Sequence, residues 1–224
     1  MNGFFVTGTD TGVGKTWASM GLLELFNQQA LTTIAMKPVA SGCEVTAEGL
    51  RNEDADLLMK VMGAKASYDD VNPYAYAPAI APHLAARQVG ETINIDRIIQ
   101  QAEQLSTRAD RIVIEGAGGW LVPLNDDKTF ADLAVALKLP VILVVAIRLG
   151  CINHALLSVE SIQRSGLLLA GWVANTGLAD SEGCGDIQAN IESLSARLSA
   201  PLLGTLPKLD CNAKQIADRF KFTT

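Results

Sequence analysis

The strongest indication of the fold is one stretch near the N-terminus, Phe4-Phe5-Val6-Thr7-Gly8-Thr9-Asp10-Thr11-Gly12-Val13-Gly14-Lys15-Thr16. An apolar run leads into a glycine-rich segment, and an apolar helical pattern follows from Thr16 to Gln29. A strand, a glycine-rich loop and a helix in this order are the context that a phosphate-binding loop of the Walker A type requires. The strict spacing GxxxxGK[ST] places its first glycine at position 9, whereas this chain has Gly8. The stretch therefore predicts a phosphate-binding loop that is one residue longer than the strict motif.

Four features of this loop act on one bound anion. Glycines let consecutive backbone N–H groups converge on phosphate oxygens, and the N-terminus of the following helix adds partial positive charge. Lys15 supplies a mobile cation, and the Thr16 hydroxyl is suited to bind Mg²⁺. The alternative is a glycine-rich turn with a chance Gly-Lys-Thr, which the flanking strand and helix patterns disfavour.

Outward from the loop, short apolar runs alternate with helical patterns. The runs are Phe4–Thr7, Thr33–Met36, Arg111–Glu115, Val141–Ile147, Leu168–Ala174 and Leu202–Leu206. The helical patterns are Thr16–Gln29, Asn52–Met62, Ile95–Leu105, Thr129–Leu137, Ile152–Arg164 and Ile187–Leu198. Alternation predicts an α/β fold of the P-loop NTPase type, a mostly parallel central sheet with helices on both faces. We expect one domain over residues 1–224, with the strand ends facing one ligand crevice.

Two other segments have weaker patterns. Val71–Pro82 contains three prolines and no clear period, so we expect a loop or an extended excursion there. Lys208–Thr224 is predicted to be a loop followed by a short helix.

Composition limits the class of partner. Hydrophobic residues make up 49% of the chain, which is enough for a large core, and the net charge is −6. This sign is wrong for a protein that coats nucleic acid or anionic membrane, so we expect neither partner. Small molecules or other proteins are the expected partners.

Cysteine usage and hydropathy predict a cytoplasmic protein. The chain has four cysteines, no CxxC pair among them, so neither a zinc site nor a disulfide framework is indicated. The first twelve residues lack the basic region of a targeting signal. The longest apolar run, Val141–Ile147, is far shorter than the roughly 20 residues that span a bilayer. We therefore expect no targeting segment and no membrane span.

Three charged residues are candidates for chemistry beside the loop. Glu115 ends the predicted strand Arg111–Glu115 and precedes glycines, so it is well placed to hold Mg²⁺ or to position a water near the γ-phosphate. Lys37 follows the second predicted strand and should emerge at the same edge of the sheet as the loop, although most lysines in such positions are merely solvated. Asp54 by itself is better explained as an acid in the first turn of a helix.

These residues and others resemble one family, the dethiobiotin synthetases, over most of the chain. The first matching blocks are Gly8-Thr9-Asp10-Thr11 with Gly14-Lys15-Thr16, Lys37-Pro38-Val39-Ala40-Ser41-Gly42, and Gly49-Leu50-Arg51-Asn52 with Asp54. Later blocks are Val71-Asn72-Pro73-Tyr74, Ala81-Pro82-His83, Glu115-Gly116-Ala117-Gly118-Gly119-Trp120, the segment from Leu149 to Ala155, Gly171-Trp172-Val173-Ala174-Asn175 and Pro201-Leu202-Leu203-Gly204. The family's phosphate loop has the same longer spacing.

The resemblance implies an activity and its cofactors. Members of the family close the ureido ring of dethiobiotin from 7,8-diaminononanoate, CO₂ and ATP, with Mg²⁺. One amine takes up CO₂ to form a carbamate, which accepts the γ-phosphate, and the second amine then displaces phosphate. The resemblance also implies a homodimer with active sites near the interface.

Carried over by matching position, the resemblance implies residue roles. Lys15 and Lys37 stabilise the phosphoryl charge, and Thr16, Asp54 and Glu115 arrange Mg²⁺. Asn175 recognises adenine, helped by the backbone from Pro207 to Leu209. The full implied nucleotide set is Gly12, Val13, Gly14, Lys15, Thr16, Trp17, Asp54, Glu115, Gly116, Ala117, Gly118, Asn175, Thr176, Pro207, Lys208 and Leu209. The implied substrate set is Thr11, Lys37, Ser41 and Gly118, with Leu149, Gly150, Cys151 and Asn153 reaching the neighbouring subunit's substrate.

Two rival classes share the loop. A P-loop switch ATPase of the partitioning type has a signature lysine five residues before the conserved lysine, where this chain has Asp10. Another amidoligase of the superfamily, acting on a cobyrinate-like acid with glutamine as nitrogen donor, usually has a glutaminase domain, for which 224 residues leave no room. The resemblance favours the synthetase over both.

Overall fold

A computed structural model describes residues 1–178, 185–207 and 212–221. Its centre is a six-stranded sheet in the order β10-β9-β8-β1-β7-β2, in which every neighbouring pair is parallel. The strands are β1 (Gly3–Gly8), β2 (Thr33–Met36), β7 (Arg111–Gly119), β8 (Val141–Ala146), β9 (Leu169–Asn175) and β10 (Leu202–Leu206). A parallel sheet buried on both faces favours continuous apolar strands, and all six residues of β8 are buried.

Helices cover both faces of the sheet, as predicted. One face packs against α1 (Lys15–Gln28), α2 (Glu53–Val61) and α9 (Ala213–Ala217). The other packs against α4 (Pro82–Gln88), α5 (Ile95–Ser106), α6 (Phe130–Leu137), α7 (Cys151–Arg164) and α8 (Ile187–Ser195). Successive residues of a strand point to opposite faces, so Val113 joins the first core while Ile112 and Ile114 join the second.

Polar caps begin several of these helices at the predicted places. Asn52 accepts a hydrogen bond from the backbone N–H of Ala55 at the start of α2. Asn94 caps α5 in the same way, and Thr129 forms a reciprocal capping box with Asp132 at the start of α6. Each cap satisfies a backbone N–H that has no partner inside the helix. The sequence thus fixes where these helices begin.

Between β2 and α5 the chain forms smaller elements that the sequence pattern did not predict. β3 (Val39–Ser41) pairs in parallel with β6 (Tyr74–Tyr76), and β4 (Glu44–Thr46) forms a hairpin with β5 (Gly49–Arg51). A short helix, α3 (Tyr68–Val71), precedes β6. The expected loop or extended excursion over Val71–Pro82 contains one three-residue extended strand, β6, and ends where α4 begins at Pro82. Three-residue strands are too short for their periodicity to be recognised.

Two further predictions can be compared with the structure. β7 continues to Gly119, so Glu115 lies inside this strand, beside Val6 of β1, and not at its end. The short C-terminal helix is confirmed as α9, whereas positions 208–211 lie outside the described residues. Across the described residues, no helix has the length and apolar character needed to cross a membrane.

Candidate active site

A cavity of about 620 Å³ opens at the carboxyl edge of the central sheet. Ligands of open parallel sheets bind at this edge, because the loops that follow the strands converge there. Its described lining contains eleven residues that the sequence analysis singled out: Thr11, Gly12, Gly14, Lys15, Thr16, Trp17, Lys37, Ser41, Asp54, Ala117 and Gly118. These predicted residues therefore come together at one cavity.

The phosphate loop has the backbone geometry that its glycines predict. Gly12 and Gly14 have φ values of 71° and 94°, in the left-handed region that glycine adopts without strain. Gly14 is the N-cap of α1, so Lys15 and Thr16 occupy the first turn of that helix. Lys15 Nζ donates to the backbone oxygen of Asp10 across the loop, at 2.9 Å. The loop and its lysine are thus closed around the position where phosphate binds in such loops.

Lys37 forms hydrogen bonds with both candidate metal-binding carboxylates, Asp54 and Glu115. Its ammonium donates to Asp54 Oδ2 at 2.9 Å, to Glu115 Oε1 at 2.6 Å and to the backbone oxygen of Gly116 at 3.3 Å. Thr16 Oγ1 lies 2.7 Å from Asp54 Oδ1 and 3.0 Å from Glu115 Oε1. Four side chains from β7, α1, α2 and the end of β2 therefore meet at one end of the cavity.

Burial and charge set the ionisation of this cluster. Desolvation, reinforced by the nearby Lys37 ammonium, lowers the pKa of Lys15 to about 8. Desolvation also acts to lower the pKa of Lys37, but Glu115 and Asp54 outweigh it and raise that pKa to about 12. For Asp54, desolvation is outweighed by Lys37 and by the Thr16 hydrogen bond, so its pKa is lowered. Lys37 and Asp54 consequently form an ion pair, while Lys15 is poised to gain or lose a proton.

The donor set fits Mg²⁺. Glu115 is fully buried, and its Oε2 has no hydrogen-bond partner among the described residues, which leaves one carboxylate oxygen unused. Mg²⁺ in nucleotide sites is held by one or two carboxylates together with phosphate oxygens and water. Among the described residues, no group of three or more His, Cys, Asp or Glu side chains is arranged to hold a metal ion. Thr16, Asp54 and Glu115 supply the oxygens that such an ion needs.

Asn175 lies behind the phosphate loop. Its side chain is fully buried, donates to the backbone oxygen of Val13 at 2.9 Å and accepts from the N–H of Gly177 at 3.0 Å. A Cβ added to Gly14 would lie 2.5 Å from Asn175 Nδ2, so this position admits only glycine. In the described structure, Asn175 braces the loop and keeps one amide proton for another acceptor. Its predicted contact with adenine stays a prediction.

The other predicted nucleotide residues lie around the cavity or outside the described chain. Val13, Glu115 and Gly116 are buried behind the lining. Thr176 binds the backbone oxygen of Leu206 through its hydroxyl, and Pro207 follows β10. Lys208 and Leu209 lie outside the described residues.

The predicted substrate residues fall into two groups. Thr11, Lys37, Ser41 and Gly118 line the cavity. Leu149, Gly150, Cys151 and Asn153 are absent from its described lining and lie at the start of α7. Leu149 is 85% exposed, whereas the Cys151 thiol is buried. The second group therefore lies outside the described lining of the cavity.

The sequence analysis missed part of the cavity wall. Ala79, Ile80, Ala81 and Pro82 form an apolar side of it, and Val122 completes that side. The block Ala81-Pro82-His83 was the only signal for this wall, and no chemistry-bearing side chain marks it. The remaining missed residues are Ala40, Asn52, Glu53 and Leu57.

Comparison with known proteins agrees with this geometry. A family described as an AAA domain matches residues 2–214. The chain is 52% identical to the "ATP-dependent dethiobiotin synthetase BioD" of Marinobacter nauticus, over 92% of this chain and 88% of that protein. It is 51% identical to the protein of the same name from Chromohalobacter salexigens, over 97% of each.

Solved structures share the fold at much lower identity. The "MinC:MinD cell division protein complex" of Aquifex aeolicus matches with a TM-score of 0.58 and 16% identity, covering 97% of this chain and 86% of that one. Identity this low shows a common P-loop architecture and decides nothing about activity.

Proposed function

The chain belongs to the ATP-dependent dethiobiotin synthetase family, and from this premise we propose that its cavity closes a cyclic urea on 7,8-diaminononanoate, using CO₂ and ATP. The observation that carries the proposal is the meeting of Lys15, Thr16, Lys37 and two carboxylates at one end of a single cavity. A reaction that transfers a phosphoryl group needs this concentration of positive charge beside the phosphate loop. The adjoining apolar wall suits the alkyl chain of the diamine.

The proposed reaction has three balanced steps. One amine adds to CO₂ and loses a proton, giving a carbamate. A carbamate oxygen then attacks the γ-phosphorus of ATP, giving a carbamic–phosphoric anhydride and ADP. The second amine attacks the carbonyl carbon, phosphate leaves, and the amine proton is lost to solvent. The product is dethiobiotin.

The lysines would act on the charge that moves during transfer. Lys15 sits in the loop that binds the phosphates, and Lys37 is protonated over the physiological range because Glu115 and Asp54 raise its pKa to about 12. An ammonium held in a water-poor site stabilises a transferring phosphoryl group more than one in bulk water does. Thr11, Ser41 and Gly118 would orient the carbamate on the other side of the cavity.

Thr16, Asp54 and Glu115 would hold Mg²⁺. The unpartnered Oε2 of Glu115 and the convergence of the Thr16 hydroxyl with both carboxylates support this assignment. A bound Mg²⁺ supplies neutralisation of charge on the β- and γ-phosphates. In the structure, the Lys37 ammonium contacts the same two carboxylates. The proposal therefore requires Lys37 to share these oxygens with the ion or to turn towards the substrate when the ion binds.

The proposal includes a homodimer. Leu121 and Leu157 are 60% and 58% exposed and line one apolar depression, together with Asp10 of the phosphate loop. Arg148, next to the exposed Leu149, binds Asp10 Oδ2 at 2.8 Å, which places the start of α7 beside this depression. A second copy on this surface would bury the leucines and bring Leu149, Gly150, Cys151 and Asn153 towards the other cavity.

We further propose a cytoplasmic location. Cys43 and Cys151 are buried free thiols in the structure, which suits a reducing compartment.

Phosphate release from Mg·ATP with bicarbonate, measured with and without 7,8-diaminononanoate, tests the activity. We expect release that depends on the diamine and equals the dethiobiotin formed. ATP turnover that ignores the diamine would contradict the proposal and leave a P-loop ATPase. Release that requires glutamine instead would indicate an amidoligase of another kind.

A further inference from the structure

Lys37 and Asp54 must hold one geometry although they are distant in the chain. They are 17 residues apart, with β3, β4 and β5 between them, yet Lys37 Nζ lies 2.9 Å from Asp54 Oδ2. Lys37 follows β2, whereas Asp54 is the second residue of α2. Long side chains have many rotamers, so their meeting depends on how firmly the two backbones are fixed relative to each other.

The backbone of Lys37 is held on both sides by the end of α3. Its N–H donates to the backbone oxygen of Val71 at 2.8 Å. Its carbonyl oxygen accepts from Asn72 Nδ2 at 2.6 Å. A second, longer bond from Asn72 Nδ2 to the backbone oxygen of Tyr74 keeps this amide in place. Asn72 therefore fixes the peptide from which the Lys37 side chain starts.

The same asparagine is connected to the start of α2. Tyr68 Oη donates to Asn72 Oδ1 at 3.0 Å and accepts from the backbone N–H of Asn52 at 2.7 Å. Asn52 is the N-cap of α2, two residues before Asp54. Arg51 stacks over the Tyr68 ring, with its guanidinium carbon 4.0 Å from the ring centroid. Three hydrogen bonds thus form a series that we name the Tyr68 bridge. It runs from the Lys37 carbonyl through the Asn72 side chain and the Tyr68 hydroxyl to the Asn52 N–H.

Water cannot easily replace the Tyr68 bridge. Asn72 is 2% exposed and Tyr68 is 9% exposed, so a lost bond there leaves a buried polar group without a partner. Neither residue lines the active-site cavity in the described structure. Their influence on the reaction must therefore pass through Lys37, Asn52 and Asp54, which do line the cavity.

We propose that Tyr68 and Asn72 are positioning residues, which set the distance between the Lys37 ammonium and the Asp54 carboxylate. The proposal rests on the proposed function, because it assigns these residues to the geometry of phosphoryl transfer. Catalytic groups must stay within a few tenths of an ångström of their productive positions, and the hydrogen-bonded residues behind them provide this precision.

Tyr68→Phe is the sharpest test, because it removes one hydroxyl and keeps the ring under Arg51. Asn52 N–H and Asn72 Oδ1 lose their common partner. We expect kcat for diamine-dependent phosphate release to fall about tenfold, while the KM for the diamine stays within about twofold. The pattern follows because the change alters the alignment of the transferring group and not the cavity wall.

Tyr74→Phe is the matched control. Tyr74 Oη accepts from the backbone N–H of Asn94 at 3.1 Å, and Asn94 is the N-cap of α5. The control thus breaks the same type of bond at another helix start, through a hydroxyl outside the Tyr68 bridge, and it keeps the Tyr74 backbone oxygen that Asn72 binds. We expect its kcat to equal that of the parent, with a loss of melting temperature similar to that of Tyr68→Phe.

ATP binding measured by calorimetry in Mg²⁺ and in EDTA gives a readout that needs no turnover. Tyr68→Phe should bind ATP like the parent in EDTA and about tenfold more weakly than the parent in Mg²⁺, because Asp54 is displaced. The inference is overturned if Tyr68→Phe and Tyr74→Phe give equal kcat values and equal Mg²⁺ effects. Phosphate release by the parent that does not depend on the diamine would contradict the proposed function. The calorimetric comparison would still show whether the Tyr68 bridge positions Asp54. If Tyr68→Phe does not bind ATP in EDTA, its fold is disturbed, and Asn72→Ser is tested in its place. Its kcat and its Mg²⁺ effect are then compared with those of Tyr74→Phe in the same way.

Discussion

Two predicted parts of the site differ in how far one chain completes them. They are the cluster of Lys15, Thr16, Lys37 and Glu115 beside the phosphate loop and the segment from Leu149 to Asn153. Lys15, Thr16, Lys37 and Glu115 are all buried, and hydrogen bonds within the chain join them to their neighbours. Leu149 is 85% exposed, and its segment follows β8 at the same edge of the sheet without lining the cavity. The first, the finished region, is joined by hydrogen bonds within one chain. In the second, the outward segment, Leu149, Gly150 and Asn153 are exposed and Cys151 is buried.

The difference indicates that one chain is enough to bind nucleotide, whereas the whole reaction needs two. Buried charges are stable only when they are paired, so the nucleotide end had to be assembled within the fold. An exposed leucine beside further apolar surface gains free energy only when another surface covers it. We therefore expect single chains to bind nucleotide and paired chains to complete the reaction.

Lys37→Gln should have the largest effect on the finished region. The variant removes the ammonium beside the transferring phosphoryl group, and kcat should fall by a factor on the order of 10² to 10³. Steady-state phosphate release measures the loss. Lys60→Gln, at an exposed lysine near the end of α2, should behave like the parent. Turnover of Lys37→Gln equal to the parent's would remove Lys37 from the mechanism.

Leu149→Asp should separate the two regions. A charge on the outward segment opposes its burial in a partner surface, so dimers should weaken and turnover should fall at least about tenfold, with unchanged affinity for ATP. Sedimentation and calorimetry measure the two quantities. Leu168→Asp alters another exposed leucine, at the opposite edge of the sheet before β9, and should change neither. An unaltered dimer with full turnover would exclude Leu149 from both the dimer interface and the reaction.

Asn175→Ala should loosen the finished region from behind. Val13 and Gly177 lose buried hydrogen-bond partners, so affinity for ATP should fall about tenfold. Affinity for GTP should fall less, because the predicted adenine contact concerns ATP alone. Competition binding with ATP and with GTP measures both affinities in the parent and in the variant. Asn125→Ala removes an amide that binds the backbone oxygen of Ile93 and should leave both affinities unchanged. Equal losses for ATP and GTP would restrict Asn175 to bracing the loop.

The pH dependence of ATP binding should show the smallest effect. The folded pKa of Lys15 is about 8, below its ordinary 10.5, so the unfolded chain binds more protons between these values and stability rises with pH there. Bound phosphates favour the ammonium, so ATP binding should take up a proton above pH 8 and weaken by less than about tenfold between pH 8 and pH 9. Calorimetry in buffers of different ionisation enthalpy measures the uptake. Lys15→Arg keeps its charge over this pH range, so its ATP binding should take up no proton.

The sequence predicted the sheet and its helices well, because their signals are local. Burial on both faces produces continuous apolar strands such as β8, and one-sided burial produces the spacing of α5. Between β2 and α5 it predicted α2 but missed β3 and β6, which are too short for a period and are stabilised by pairing with each other. It also ended β7 too early, because the glycines after Glu115 resemble a loop although they continue the ladder beside β1.

The local pattern of residues was enough to predict a phosphate loop between a strand and a helix, the acids and lysines available to it, and the class of fold. The folded chain adds that Lys37 bridges Asp54 and Glu115, that Asn175 binds the Val13 carbonyl, and that Tyr68 joins two elements behind the site. The difference comes from the sequence distance over which each interaction acts. Periodicity and capping act within a few residues, whereas Thr16 and Glu115 meet across 99 positions because β1 pairs with β7. Such contacts depend on the order of strands in the sheet, which no local pattern encodes.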